Sequence, residues 1–107
     1  MFNCTNMPAV CANMKNAIHT KEKPPKLTRT TNTSQIRKNR RDSGCTKMKP
    51  GPGMSCDEYP FASTNQGGKN AVIVAVPIKE NSSQGGQLSA FYRRNSIQDG
   101  DCFEVQI

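Results

Sequence analysis

With 107 residues, 34% of them hydrophobic, no Trp and a net charge of +7, the chain has room for one small domain with a thin core. No run reaches the ~18–20 apolar residues of a membrane span, so no membrane is expected as a partner; no basic-then-apolar signal segment opens the chain, so secretion would make it a mature form. The charge is uneven: residues 1–50 carry eleven Lys or Arg against Glu22 and Asp42, a balance of +9, whereas residues 51–107 carry four against six acids, a balance of −2. That division suits a polyanion-binding arm beside an acid-bearing site, and equally a solubilising tail.

Residues 8–19 read as a short helix. Pro8 suits the first turn, Thr5 or Asn6 could cap it, and Val10, Met14, Ala17 and Ile18 form an apolar stripe. From Thr20 to Gly53 the apolar content collapses into Pro-, Thr- and Asn-rich text and the run Ile36-Arg37-Lys38-Asn39-Arg40-Arg41. The expectation there is a loop or mobile arm with one helical turn around residues 35–41, because too few apolar groups offset the entropy of ordering.

The second half has another character. Cys56-Asp57-Glu58-Tyr59-Pro60-Phe61-Ala62 reads as an acidic turn, and Asn70 to Ile78 as a buried strand. Ser82 or Ser83 would cap a helix over residues 83–95, despite Gly85 and Gly86, which cost roughly 1 kcal/mol each inside a helix. Those glycines could let the first turn approach a strand, a metal or DNA. Residues 102–107 alternate Phe103, Val105 and Ile107 with Glu104 and Gln106, a half-buried closing strand.

The five cysteines, Cys4, Cys11, Cys45, Cys56 and Cys102, contain no C-x-x-C pair. Two disulfides with one cysteine over fit an oxidising compartment better than a zinc site does. Cys4 and Cys11 could pair only if the chain doubles back before the helix. Pairing Cys45 with Cys56 is favoured, since it would tie the basic arm to the acidic turn.

Two polar clusters could carry chemistry. Asp57-Glu58 before an aromatic-Pro pair could bind Mg²⁺ or Mn²⁺ or take a proton from water; its plainer reading is a cap followed by hydrophobic anchors. Glu80-Asn81 with Gln84 sits where a strand gives way to a helix, a rigid place for a carboxylate and an amide oxygen, or simply an ordinary cap. One divalent ion between the clusters, beside a basic arm, suits phosphodiester hydrolysis.

Cys-Asp-Glu-Tyr-Pro-Phe-Ala-Ser-Thr, Gly67-Gly68, Glu-Asn-Ser-Ser-Gln-Gly-Gly and Asp99-Gly100-Asp101 together resemble the NucA/NucB family of small secreted, non-specific deoxyribonucleases. The likeness covers roughly residues 54–107, and the cysteine-rich start is similar to fungal or actinobacterial members. It implies an α+β single domain with a ββα-metal-like (His-Me-finger-like) core at 54–107, joined to an N-terminal helix and basic loop at 1–53. It also implies an endonuclease using one Mg²⁺ or Mn²⁺ ion, with Asp57 as base or metal-organising group, Glu58 assisting, Asn81 as metal ligand and Glu80 serving the ion or its waters. Ser82 stands where the family pattern has Arg, so phosphate contacts would fall to Gln84, Arg93, Arg94, Arg40 and Arg41.

DNA bound without sequence preference, a monomeric state, a protein inhibitor as partner and an extracellular location all follow from the same resemblance. His19, the only histidine, lies outside the matched blocks and is not expected to act. Sequons occur at Asn3, Asn32 and Asn81, and a glycan on Asn81 would conflict with its metal role. Two alternatives remain: a non-catalytic basic nucleic-acid-binding protein, and a cationic secreted antimicrobial or toxin protein. The latter calls for amphipathic basic helices that this Pro/Thr/Asn-rich stretch does not offer.

Overall fold

The acidic segment and the apolar segment after it are strands of one antiparallel hairpin. In the computed structural model, which describes Met1–Ile107, β2 (Met54–Tyr59) pairs with β3 (Val72–Pro77) in a register that sets Asp57 opposite Val74. The β-branched run of β3 explains the strand. The acids therefore lie on a strand and not in a turn. The helix α3 (Ile78–Arg94) starts directly from Pro77, before the expected serine caps, and puts Glu80 and Asn81 in its first turns.

α1 (Pro8–Lys15), continued by a wider turn at Asn16–Thr20, packs on this hairpin beside α3. Its N-terminus is not capped by Thr5 or Asn6. Glu80 of α3 accepts from the backbone N–H of Ala9 (2.7 Å) and Val10 (3.2 Å), placing an anion at the positive end of the helix. The chain does double back before α1: Cys4 is bonded to Cys11 and Cys45 to Cys56, which leaves Cys102 free and exposed.

Residues 20–53 are more ordered than their composition implies. β1 (Lys26–Thr28) pairs antiparallel with β4 (Cys102–Glu104), with Leu27 opposite Phe103. α2 (Thr33–Ser43) is a helix of 11 residues where a single turn was expected. Asn32 caps it by accepting from Gln35 N–H, and Gly44 ends it in the left-handed conformation at φ 97°.

Polar docking holds α2. The buried Asn39 donates to the carbonyls of Ala62 (2.8 Å) and Thr64 (2.9 Å) and accepts from Gln35. Gly68, at φ 107°, lets the backbone lie against Asn39: a Cβ there would come within 3.0 Å of its Oδ1. A buried amide with these partners satisfied fixes a helix that hydrophobic periodicity does not reveal.

One core joins both halves of the chain. Met7, Val10, Met14 and Leu27 pack with Tyr59, Phe61, Val76, Leu88, Tyr92 and Phe103. The fold is α+β, with three helices and two small antiparallel sheets. No helix is long and apolar enough to cross a membrane.

Candidate active site

Alternation along β2 sends its two acids to opposite faces. Asp57 faces α1, and Glu58 faces the end of α2, where its Oε2 accepts from Ser43 Oγ at 2.7 Å. Both residues nevertheless line a cleft of about 680 Å³ whose walls also include Arg29, Arg40, Asn81 and Gln84.

Asp57 is 1% exposed. Its Oδ2 accepts from Asn13 Nδ2 of α1 at 3.0 Å, while its Oδ1, equally buried, has no hydrogen-bond partner. Desolvation raises its pKa to about 6; the hydrogen bond from Asn13 opposes that rise, as the Glu58 backbone and the Gln84 side chain do more weakly, and the charge of Glu58 adds to it. Burial also raises the Glu58 carboxyl, against the pull of Ser43 and Arg40.

Asn81 has a locked amide. Its Nδ2 donates to Ser55 Oγ (2.9 Å) and to the Cys56 carbonyl (3.1 Å), so the nitrogen must face β2 and Oδ1 is left unengaged. Gln84, one turn further along α3, is buried with Nε2 unpartnered. The Gln84 amide lies close enough to favour the ionised Asp57 carboxylate, yet neither Asp57 Oδ1 nor Gln84 Nε2 completes a full hydrogen bond, and both residues line one polar cleft.

The structure brings Asp57, Glu58, Asn81, Gln84 and Arg40 together and leaves other sequence candidates apart. Glu80 is used at the N-terminus of α1 and does not border the cleft, because its carboxylate is held by two backbone N–H groups there. Arg41 and Arg94 are exposed and also outside it, and Arg93 lines a smaller depression beside it. His19 is exposed outside the cleft. Nothing lies within 4 Å of where a Cβ would sit on Gly85 or Gly86, so these glycines permit no close protein packing; Gly85 leaves the cleft wall low.

Sequence reasoning missed Asn13, Ser43, Ser55 and Arg29. Asn13 carried a usable signal, since it interrupts the apolar side of α1 between Val10 and Met14 and is itself buried. Ser43, Ser55 and Arg29 carried none, because their roles depend on contacts between distant segments.

The donor set can be tested against a divalent cation. Asp57 Oδ1 and Asn81 Oδ1 are hard oxygens of the kind Mg²⁺ and Mn²⁺ prefer. No three His, Cys, Asp or Glu residues converge, so most of an ion's shell would come from water and phosphate, as Mg²⁺ tolerates at nucleotide sites. The residues fit a sparsely held ion and do not fit an all-protein cage.

No curated protein matches the chain. The model of one protein family, Deoxyribonuclease NucA/NucB, matches residues 10–106, so the likeness extends through the basic first half as well as the acidic blocks.

Proposed function

Because the chain belongs to the NucA/NucB deoxyribonuclease family, we propose that it cleaves DNA phosphodiester bonds at the cleft of Asp57, without strong sequence preference and with a divalent metal. The observation that carries this reading is Asp57 itself: a buried carboxylate with one oxygen tied to Asn13 and the other unpartnered in a polar cleft. A pKa near 6 keeps it mostly ionised at neutral pH yet basic enough to take a proton, the compromise required of a general base.

Oδ1 is the atom that would accept the proton of the attacking water, and Asn13 holds the carboxylate in the orientation that presents it. Mg²⁺ or Mn²⁺, held by Asn81 Oδ1 and, through the ion's own waters, by Asp57, would supply Lewis-acid stabilisation of charge building on the phosphate. Gln84 Nε2 offers a buried donor to a phosphate oxygen, and Glu58 assists as the second acid of the cleft. Arg40 on the cleft wall, with Arg37, Lys38 and Arg41 exposed on α2, would grip phosphates without reading bases, so binding should weaken steeply with salt.

Two disulfides suit an extracellular setting. Asn81 should carry no glycan, since an N-linked sugar would occupy the nitrogen that bonds Ser55 and Cys56. The test is plasmid nicking by the oxidised chain with Mg²⁺ or Mn²⁺, with chelator, and with Asp57→Asn. Metal-dependent nicking that Asp57→Asn abolishes supports the reading; gel retardation without nicking replaces it with a non-catalytic nucleic-acid-binding protein.

A further inference from the structure

Arg29 follows β1 and was not marked out by any motif. It borders both the main cleft and the smaller depression beside it, and Ser89 and Tyr92 are likewise shared. These three shared residues therefore form the saddle between the two. Arg93 also lines the depression.

The guanidinium is held by one ring face and one backbone carbonyl. Its carbon lies 4.3 Å from the centroid of the Tyr92 ring, and Nη1 donates to the Ile97 carbonyl. Tyr92 is held in turn by Ser63, with their hydroxyl oxygens 3.1 Å apart. The backbone is clamped too: Arg29 N–H donates to Asp101 O (2.9 Å), Gly100 N–H to Arg29 O (2.8 Å), and Thr30 N–H to Ser63 O (2.9 Å).

What this cation lacks is an anion. The single ion pair of the molecule joins Lys38 and Asp42 on the outside of α2, so Arg29 is half-buried without a carboxylate partner. A planar fork with most of its N–H groups unspent, lying over the Tyr92 ring and bordering a cleft, suits the paired oxygens of a phosphodiester.

We propose that Arg29 is the fixed phosphate-binding residue of this cleft and that, with Arg93, it forms a subsite for the next phosphate of the bound strand. The strand would run from Asp57 over the Arg29–Tyr92 saddle into the adjoining depression. The proposal rests on the nuclease reading for the identity of the strand, but its binding chemistry does not require cleavage.

The test measures binding of a short fluorescent DNA strand by anisotropy, with chelator present, across a salt series, using the full oxidised chain carrying Asp57→Asn. Adding Arg29→Gln should weaken binding about tenfold and make the slope of log K against log salt shallower by about 0.7, the single-strand value for one lost phosphate contact. Arg29→Lys keeps the charge but not the fork, so it should retain the slope and recover part of the affinity. Arg93→Gln should weaken binding about threefold with a similar change of slope.

A fall in melting temperature with affinity and slope unchanged would show that Arg29 only props Tyr92, and would overturn the proposal. If Arg29→Gln fails to fold, unchanged affinity in Arg29→Lys would do the same. Cleavage by the unmodified chain is scored separately with Mg²⁺. No cleavage together with an Arg29-dependent slope would remove the nuclease reading and leave the subsite standing; cleavage together with Arg29-independent binding would remove the subsite alone.

Discussion

Asn13 Nδ2 donates to Asp57 Oδ2 at 3.0 Å across 44 residues of sequence, tying α1 to the acidic strand through a contact with no solvent around it. The bond favours the ionised carboxylate and opposes the desolvation that raises its pKa. Asn13→Leu keeps the volume but removes the donor. We expect the acid limb of kcat/KM to move up by about one pH unit, costing roughly fivefold in rate at pH 6 and little at pH 8. A limb that stays in place would mean that Asn13 serves packing alone.

The same burial sets a conflict between stability and function at Asp57. A carboxyl with a pKa of 3.8 in the unfolded chain and about 6 in the folded one binds its proton more tightly when folded. Its contribution is therefore fully present below pH 4, falls as pH rises from 4 to 6, and is gone above that, a loss of about 3 kcal/mol. Asp57→Asn should flatten this fall and raise the melting temperature of the metal-free chain at pH 7.5, while abolishing nicking. Thermal denaturation in chelator at pH 4, 5, 6 and 7.5 measures it; an Asn variant less stable at pH 7.5 would contradict the assignment of burial as the main cause.

Glu80 shows why some of this site was legible in the sequence and some was not. The β-branched run of β3, the apolar stripe of α1 and the Cys45–Cys56 pairing are local or nearly local patterns, and each could be read without tertiary knowledge. Asp57, Glu58 and Asn81 could be read as polar clusters flanking a strand, and the hairpin brings them to one cleft. Glu80 looked like their companion, yet its partners are N–H groups 70 and 71 residues away. α2 was hidden for a related reason, since its anchor is the amide of Asn39, and hydrophobic periodicity cannot report a helix docked by hydrogen bonds.

Glu80→Gln consequently separates capping from metal binding. Its loss of charge at the N-terminus of α1 should cost about 1 kcal/mol, and Glu80→Ala, which also removes the acceptor, about 2 kcal/mol. Metal affinity, read by isothermal titration of Mn²⁺ into the folded variants, should not change. A tenfold weaker Mn²⁺ affinity in Glu80→Gln would restore this residue to the site and show that its hold on α1 is broken when an ion binds.

Cys56 precedes Asp57, and its bond to Cys45 fastens the end of α2 to β2, beside the Ser43–Glu58 contact. Opening a loop of this length should cost about 2–3 kcal/mol of stability. It should also loosen the C-terminal end of α2 beyond the Asn39 anchor, where Arg40 borders the cleft. Replacing both cysteines by serine is therefore expected to raise KM for DNA more than it lowers kcat, because the grip loosens while Asp57, held from the opposite face by Asn13, keeps its orientation. The bond between Cys4 and Cys11 lies at the start of α1, away from the cleft, so its serine pair should lower the melting temperature without that split in KM and kcat. Steady-state nicking kinetics on the two double variants decide it: equal kinetic effects would show that the disulfides serve stability alone.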